Sequence, residues 1–381
     1  MNSISNHPYR EIESVENLPA PDGSGRITRM VFQNIDFNQV PQYVAAGHKF
    51  IDCCFMGCRI PKEMERGLGK KCLIFPALDL TYNSFRGGLY NRSSLYEGYT
   101  PGKEETFADC YDTRVYNDYI QNGKHCDNIL ETLGRSLHDH SIENAMFDFL
   151  SHYDEKQIVA VMGGHALKRT DKQYRNVVTI SKALVEKGKL MASGGGPGAM
   201  EATHLGAWMA GRTAKEVDDA LSILEAAPTF RDEGWLRTAF EVIEKYPQER
   251  FRSLGIPTWF YGHEPATPFA TDIAKFFSNS IREDSLLAIA MGGIIYTPGS
   301  AGTLQEIFQD AAQNHYETFG YASPMVFLGK EFFTKDVPVF PLLEDLVRKG
   351  RYKNLPISLT DDPVEAVKHI LAFTEQDNKK R

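Results

Sequence analysis

A chain of 381 residues, with 42% hydrophobic, 24% charged and 11% aromatic residues, has the make-up of a soluble globular protein with one large core and room for a smaller one. A formal net charge of −8 excludes a broad surface for nucleic-acid polymers or anionic membranes, although helix N-termini and one arginine suffice for a local anion site. The polar stretch Met1–Ala20 has no apolar signal core and no run reaches bilayer length, so a cytoplasmic protein without membrane contacts is expected.

The first segment, residues 1–126, reads as a small accessory domain, irregular or β. It holds Cys53, Cys54, Cys58, Cys72, Cys110 and Cys126, the six cysteines of the chain. These are expected as reduced thiols, and without paired C-x2-C ligands they give no metal site. Ile27–Phe32 and Cys72–Phe75 look extended. Phe32 and Phe37, then Phe50, Phe55 and Ile60, recur at intervals of five. That interval suits the coils of a pentapeptide-type β-helix, although two short stretches are too few to establish a repeat.

Residues 127–381 read as a Rossmann-like nucleotide-binding domain. A helical pattern opens it: Ile129, Leu130, Leu133, Leu137, then Ile142, Ala145, Met146, Phe149 and Leu150. His138 and His140 lie on opposite sides of that helix and do not chelate one ion together. Strands and helices then alternate. Ile158–Met162 is a strand ending in Gly163-Gly164; Tyr174–Glu186 is a helix stopped by Gly188; Lys189–Ala192 is a strand and Ala199–Met209 a helix. Leu254–Phe260 reads as a strand, at an edge because of Pro257, and Ile273–Ala290 as one long helix. Gly293–Tyr296, Met325–Leu328 and Ile357–Leu359 are extended; helices begin at Ile307, Val339 and Val364. Short apolar strands separated by helices predict an α/β fold with a doubly wound parallel sheet, which places ligands beyond the strands' carboxyl ends. Ala210–Arg250, with helices over Lys215–Ala226 and Trp235–Tyr246, is too long for an ordinary connection and reads as a lid or an interface element.

Two glycine-rich turns fall at those carboxyl ends. One is Ser193-Gly194-Gly195-Gly196-Pro197-Gly198-Ala199-Met200-Glu201, the other Thr297-Pro298-Gly299-Ser300-Ala301-Gly302-Thr303-Leu304-Gln305-Glu306. Glycines admit a ligand close to the backbone, and unpaired N–H groups with the helix dipole favour an anion, so a phosphorylated small molecule is the expected occupant. The first turn satisfies G-x-G-x-x-A. However, the acidic residues at the required offset, Asp218 and Asp219, lie in helical sequence, and another strand precedes, which disfavours a nicotinamide cofactor. The second lacks the spacing and lysine of a P-loop, so ATP hydrolysis loses its support.

Taken together the turns resemble the Lonely Guy family of nucleotide phosphoribohydrolases: G-G-G-x-G-x-M-[ED] at Gly194–Glu201, P-G-G-x-G-T-x-x-E at Pro298–Glu306, and an arginine, Arg282, on the helix between. The resemblance covers roughly Ile158 to Phe373, with Asp361-Asp362-Pro363 before the last helix. The His138–Ile142 helix and the large N-terminal segment look more like the long-form bacterial nucleotide 5′-monophosphate nucleosidases than the short plant enzymes. Ser300 departs from the pattern, which has glycine there; if the position needs a positive φ, serine costs about 1 kcal/mol or adds a hydroxyl donor.

The resemblance implies hydrolysis of the N-glycosidic bond of nucleoside 5′-monophosphates, purine ones such as AMP foremost, to free base and ribose 5-phosphate, with no cofactor and no metal. Its alternative is a non-catalytic nucleotide or phosphorylated-cofactor binder or sensor. Glu306 and Arg282 are the implied catalytic residues. Gly163, Gly164, Gly194, Gly195, Gly196, Pro197, Gly198, Met200, Glu201, Pro298, Gly299, Ser300, Ala301, Gly302 and Thr303 are the implied substrate contacts. Bland readings stand beside these. Thr303-x-x-Glu306 is also a capping box, and Arg282 lies beside Glu283 and Asp284, where it can pair locally. His165 is a further candidate at a strand end. The family also implies a homodimer or larger assembly, with 273–290 and 307–312 as candidate contact helices. Amino-acid decarboxylation has no cofactor-lysine context.

Overall fold

The computed structural model describes residues 9–262 and 264–378, and side chains as far as residue 373. Residues 1–8 of the stretch read for a targeting signal lie outside it. Two units divide the chain: 1–89 with 120–146, and 90–119 with 147–381. The division does not run at residue 126, because residues 90–119 make their long-range contacts with the second unit.

The first unit contains a small parallel β-helix. Strands β1 (Arg10–Ile12), β2 (Arg26–Thr28), β3 (Met30–Gln33), β4 (Lys49–Ile51), β5 (Cys54–Met56) and β6 (Leu73–Phe75) form two parallel ladders, ordered β1-β3-β5-β6 and β2-β4. Each coil stacks on the one before, as in the pairs Arg26 with Lys49 and Val31 with Cys54. The five-residue spacing carries Phe32, Phe37, Phe50 and Phe55 into one interior, each no more than 1% exposed, with Phe32 and Phe55 stacked at 4.9 Å. The thiols of Cys53, Cys58 and Cys72 donate to the carbonyls of Ile27, Phe32 and Phe50 in preceding coils, at 3.3–3.4 Å. They are packing residues of the repeat.

In the second unit β7 (Ile158–Met162), β8 (Leu190–Ser193), β9 (Ser253–Gly255), β10 (Asp272–Ile273), β11 (Ile294–Tyr296), β12 (Met325–Leu328) and β13 (Ile357–Thr360) build one sheet, ordered β10-β9-β8-β7-β11-β12-β13. All its ladders are parallel. The chain winds outward from β7 to β10, then returns to the other side of β7 and winds out again, so the fold is α/β and doubly wound. The reversal between β7 and β11 opens a crevice at the carboxyl ends. Helices α1 (Lys172–Glu186), α2 (Ala199–Trp208), α3 (Ala214–Leu224), α4 (Trp235–Lys245), α5 (Asn279–Ile289), α6 (Ala301–Tyr316), α7 (Val339–Arg348) and α8 (Pro363–Asn378) cover it.

The strands are buried along their length because both faces are covered, and Val159, Val161, Met191 and Val326 share one core with Tyr174, Val178 and Leu205. Each such aliphatic side chain contributes about 1.5–3 kcal/mol by leaving water.

Three element expectations need correction. The strand expected over Leu254–Phe260 is confined to Ser253–Gly255 and is interior rather than an edge, since β10 lies outside it. The helix expected from Ile273 begins at Asn279; Ala274 and Phe276 instead donate to the carbonyls of Gly255 and Pro257 and continue the sheet edge. A short apolar run such as Ile273–Phe277 fits either pattern. The helix expected from Ile307 begins at Ala301.

Residues 210–250 are a structural layer. Ala220, Leu221, Leu224, Ala239 and Val242, each at most 2% exposed, belong to the main core, and the indole of Trp208 donates to the carbonyl of Tyr246 at 2.9 Å. Such packing makes 210–250 part of the domain's core. None of the strongly exposed large apolar side chains among the described residues lies on 273–290 or 307–312. No helix among the described residues is long and apolar enough to cross a membrane.

Candidate functional site

The three turns at the crevice stack on one another, and their glycines make that possible. A Cβ on Gly163 would lie 1.9 Å from the Thr297 hydroxyl, and one on Gly198 would lie 2.4 Å from the Gly164 carbonyl. Thr297 donates its amide to Met162 and Gly164 donates to Pro298, which ties β7's end to β11's.

The two glycine-rich turns differ in what they offer a ligand. In the first, Gly195 (φ +69°) and Gly198 (φ +71°) make the reversal, and residues 194–199 are buried. Gly195 spends its amide on the Ser193 hydroxyl at 3.1 Å, and Ala199 gives its amide to Gly164. His204 sits beneath, wholly buried, with Nε2 2.8 Å from the Ser193 hydroxyl and Nδ1 2.9 Å from that of Ser253. Burial lowers its pKa to about 3, so it stays neutral. The second turn leads into the sixteen-residue helix α6 with positions 300–302 exposed. The first amides of a helix have no acceptor within it, so Ala301, Gly302 and Thr303 present their N–H groups to the crevice. Ser300 has φ −111°, an ordinary extended conformation, so the departure from glycine carries no backbone strain.

The capping reading of Glu306 falls with the helix start. Ser300, not Thr303, is the N-cap residue, which leaves Glu306 in the second turn of α6 and out of reach of a cap. Thr303 instead folds against Gly299, where a Cβ would meet its hydroxyl at 2.1 Å. Glu306 faces Arg282, with Oε1 3.7 Å from Nη1; the two side chains are 14% and 12% exposed. Arg282 is aimed by its Nε, which donates to the Ile256 carbonyl at 2.8 Å. Its guanidinium lies against the bare Cα of Gly194, where a Cβ would be 2.1 Å from Nη2. Burial raises the Glu306 pKa from 4.5 to about 7, against the pull of Arg282 and with a smaller push from Glu283. A carboxyl that is half ionised near neutrality, beside a fixed guanidinium, can accept or donate a proton.

The cavity beside this pair is lined by Gly194, Gly196, Met200, Pro257, Tyr261 and Glu264 together with Arg282, and holds about 50 Å³. Glu264 was not singled out from the sequence. It belongs to an irregular segment with no periodicity, and only the Glu264-Pro265 dipeptide marks it as a turn. Its Oε1 is 3.6 Å from Nδ1 of His165. One proposed contact lies elsewhere. Glu201 is fully buried and receives two hydrogen bonds from Arg169, at 2.5 and 3.0 Å, and one from Tyr174 at 2.9 Å. Arg169 also donates to Thr238, to the Ala227 carbonyl and to that of Trp235. Successive residues on a helix point about 100° apart, so with Met200 toward the cavity Glu201 faces the 210–250 layer. The cavity thus brings together Arg282, Met200, Glu264 and the first turn; Glu306 meets it through Arg282, and neither Glu306 nor the second turn is among its lining residues.

No protein-family model matches the chain, and none of the curated proteins does. Among solved structures it is similar to the molybdenum cofactor binding protein of the phototrophic bacterium Rippkaea orientalis, at 15% identity over 57% of this chain and 96% of that one, with a TM-score of 0.35. A target of the Northeast Structural Genomics Consortium matches at 17% identity, 57% and 98% coverage and a TM-score of 0.35. The Moco carrier protein of Chlamydomonas reinhardtii matches at 16% identity, 57% and 98% coverage and a TM-score of 0.32. Scores at this level assign neither a family nor an activity; the fold class stands on the sheet's own order and direction.

Proposed function

We propose that this chain is a hydrolase that cleaves the N-glycosidic bond of purine nucleoside 5′-monophosphates. The observation that carries the reading is the Arg282–Glu306 pair, held in the crevice between the two glycine turns with Glu306 near its protonation midpoint. The substrate's phosphate sits on the amides of Ala301–Thr303, which fixes the sugar in register. Arg282 supplies a charge-assisted contact. Glu306, as carboxylate, stabilises the positive charge that develops on the ribose and takes a proton from the attacking water. Water's hydroxyl ends on C1′, its proton reaches the departing base through the carboxyl, and ribose 5-phosphate and free base leave. Glu264 offers acceptors to the sugar hydroxyls from the facing wall. The present cavity, about 50 Å³, is far smaller than the roughly 300 Å³ or more of a small-molecule site, so admitting a nucleotide requires the site to widen.

The alternative is a binder of a nucleotide or phosphorylated cofactor without turnover, the kind of role named for the two molybdenum-cofactor proteins. Incubation with a panel of nucleoside 5′-monophosphates, with chromatography of released base, separates the two. Base release that Glu306→Gln abolishes supports the hydrolase. Tight binding with no release leaves the binder, and the absence of both binding and release removes both readings.

A further inference from the structure

The cavity's outer wall, residues 257–262 with 264–266, is irregular and carries Glu264 and the 61%-exposed Tyr261. At its near end the Trp259 amide donates to the Phe276 carbonyl and the Phe276 amide to that of Pro257, and Thr267, just beyond its far end, donates to Gly195. Residues 90–119, which precede the sheet by a long stretch of sequence, take hold of both ends of this wall. The Tyr96 hydroxyl, on a side chain 4% exposed, donates to the carbonyl of Ala266 at its far end. Asp112, 0% exposed, accepts at one oxygen from the Trp259 indole (2.8 Å) at its near end and from Lys275 Nζ (2.6 Å) on the returning strand. Tyr90 pairs with Ile273 through both backbone bonds, and its ring packs edge-on against Trp259.

A buried ion pair such as Asp112–Lys275 adds little net stability over apolar packing of the same volume, so its distinctive contribution is to fix where its partners lie. Here Asp112 fixes Trp259, at the near root of the wall, against Lys275, which lies beyond the far root that Tyr96 holds. We propose that Tyr96 and Asp112 are positioning residues: they clasp 257–266 at its ends, so residues 90–119 set how readily the cavity opens and hence the affinity for nucleotide. This rests on the functional reading above.

The test compares the full chain with Tyr96→Phe, which removes one hydroxyl, and with Asp112→Asn. Amide hydrogen exchange is followed along the chain, and KM and kcat are measured on the best nucleoside monophosphate. The clasp predicts exchange over 259–266 faster by about tenfold in Tyr96→Phe, with β8 and β11 unchanged. It also predicts a KM changed about fivefold or more at nearly constant kcat. Exchange that is unchanged over 259–266, or raised equally across the sheet, overturns the clasp, and Tyr96→Phe decides this should Asp112→Asn fail to fold. A wild-type chain that turns over no nucleotide refutes the hydrolase reading, while the exchange comparison still judges the clasp.

Discussion

Replacing Glu306 with glutamine tests the site through stability as well as turnover. Glutamine mimics the protonated carboxyl and so removes the cost of a buried charge. Below about pH 4.5 Glu306 is protonated both folded and unfolded and contributes no difference. Between 4.5 and about 7 only the folded chain keeps the proton, so stability falls as pH rises. Above 7 the whole cost is present; the rise from 4.5 to about 7, at 1.36 kcal/mol per unit, amounts to about 3 kcal/mol. Glu306→Gln should therefore match the parent at pH 4.5 and exceed it by about 2–3 kcal/mol at pH 8.5, several degrees in Tm, while losing base release. Urea unfolding of both proteins at the two pH values, alongside chromatography of released base, measures this. A stability difference of equal size at both pH values would refute the buried carboxyl, and retained turnover would refute its catalytic use.

Other substitutions separate the cleft from its scaffold. Gly194→Ala places a methyl where the Arg282 guanidinium lies, so kcat/KM should fall at least about tenfold with the circular dichroism spectrum unchanged. Gly302 meets nothing within 4 Å of an added Cβ and lies within a helix, so Gly302→Ala should raise stability by about 0.5–1 kcal/mol in thermal denaturation. Arg169→Met leaves Glu201 buried without its cation and should cost about 3–5 kcal/mol in urea unfolding, although neither residue touches the cavity. The pH–rate profile should climb through an apparent pKa near 7 as Glu306 ionises, and a limb near 4.5 would contradict its burial.

The sheet was legible because each strand is short, apolar and bounded by glycine or a helix start; Ile158–Met162 and Met325–Leu328 fall where the residue pattern puts them. The glycine turns were legible for the same local reason. What escaped was long-range. Glu201 carries the motif's letter, but its partner Arg169 lies thirty-two residues earlier in the chain, and nothing local assigns a buried carboxylate to a pocket or to a clamp. Glu264 and the hold of residues 90–119 on 257–266 depend on tertiary placement without a periodic signature. The five-residue phenylalanine spacing was visible, yet only the stacking of coils distinguishes a β-helix from coincidence.

The neutral His204 bridges the neighbouring strands β8 and β9 through the hydroxyls of Ser193 and Ser253. The Ser193 oxygen accepts from the Gly195 amide at 3.1 Å and lies 2.8 Å from Nε2 and 3.3 Å from the Met200 carbonyl, so its single proton has two acceptors in reach. A neutral ring donates to one serine hydroxyl and accepts from the other whichever nitrogen carries the proton, and a second ring proton would oppose that arrangement. With a midpoint at about 3, that opposition arises only in strong acid. The junction of β8 and β9 is accordingly indifferent to the neutral pH range in which Glu306 changes charge.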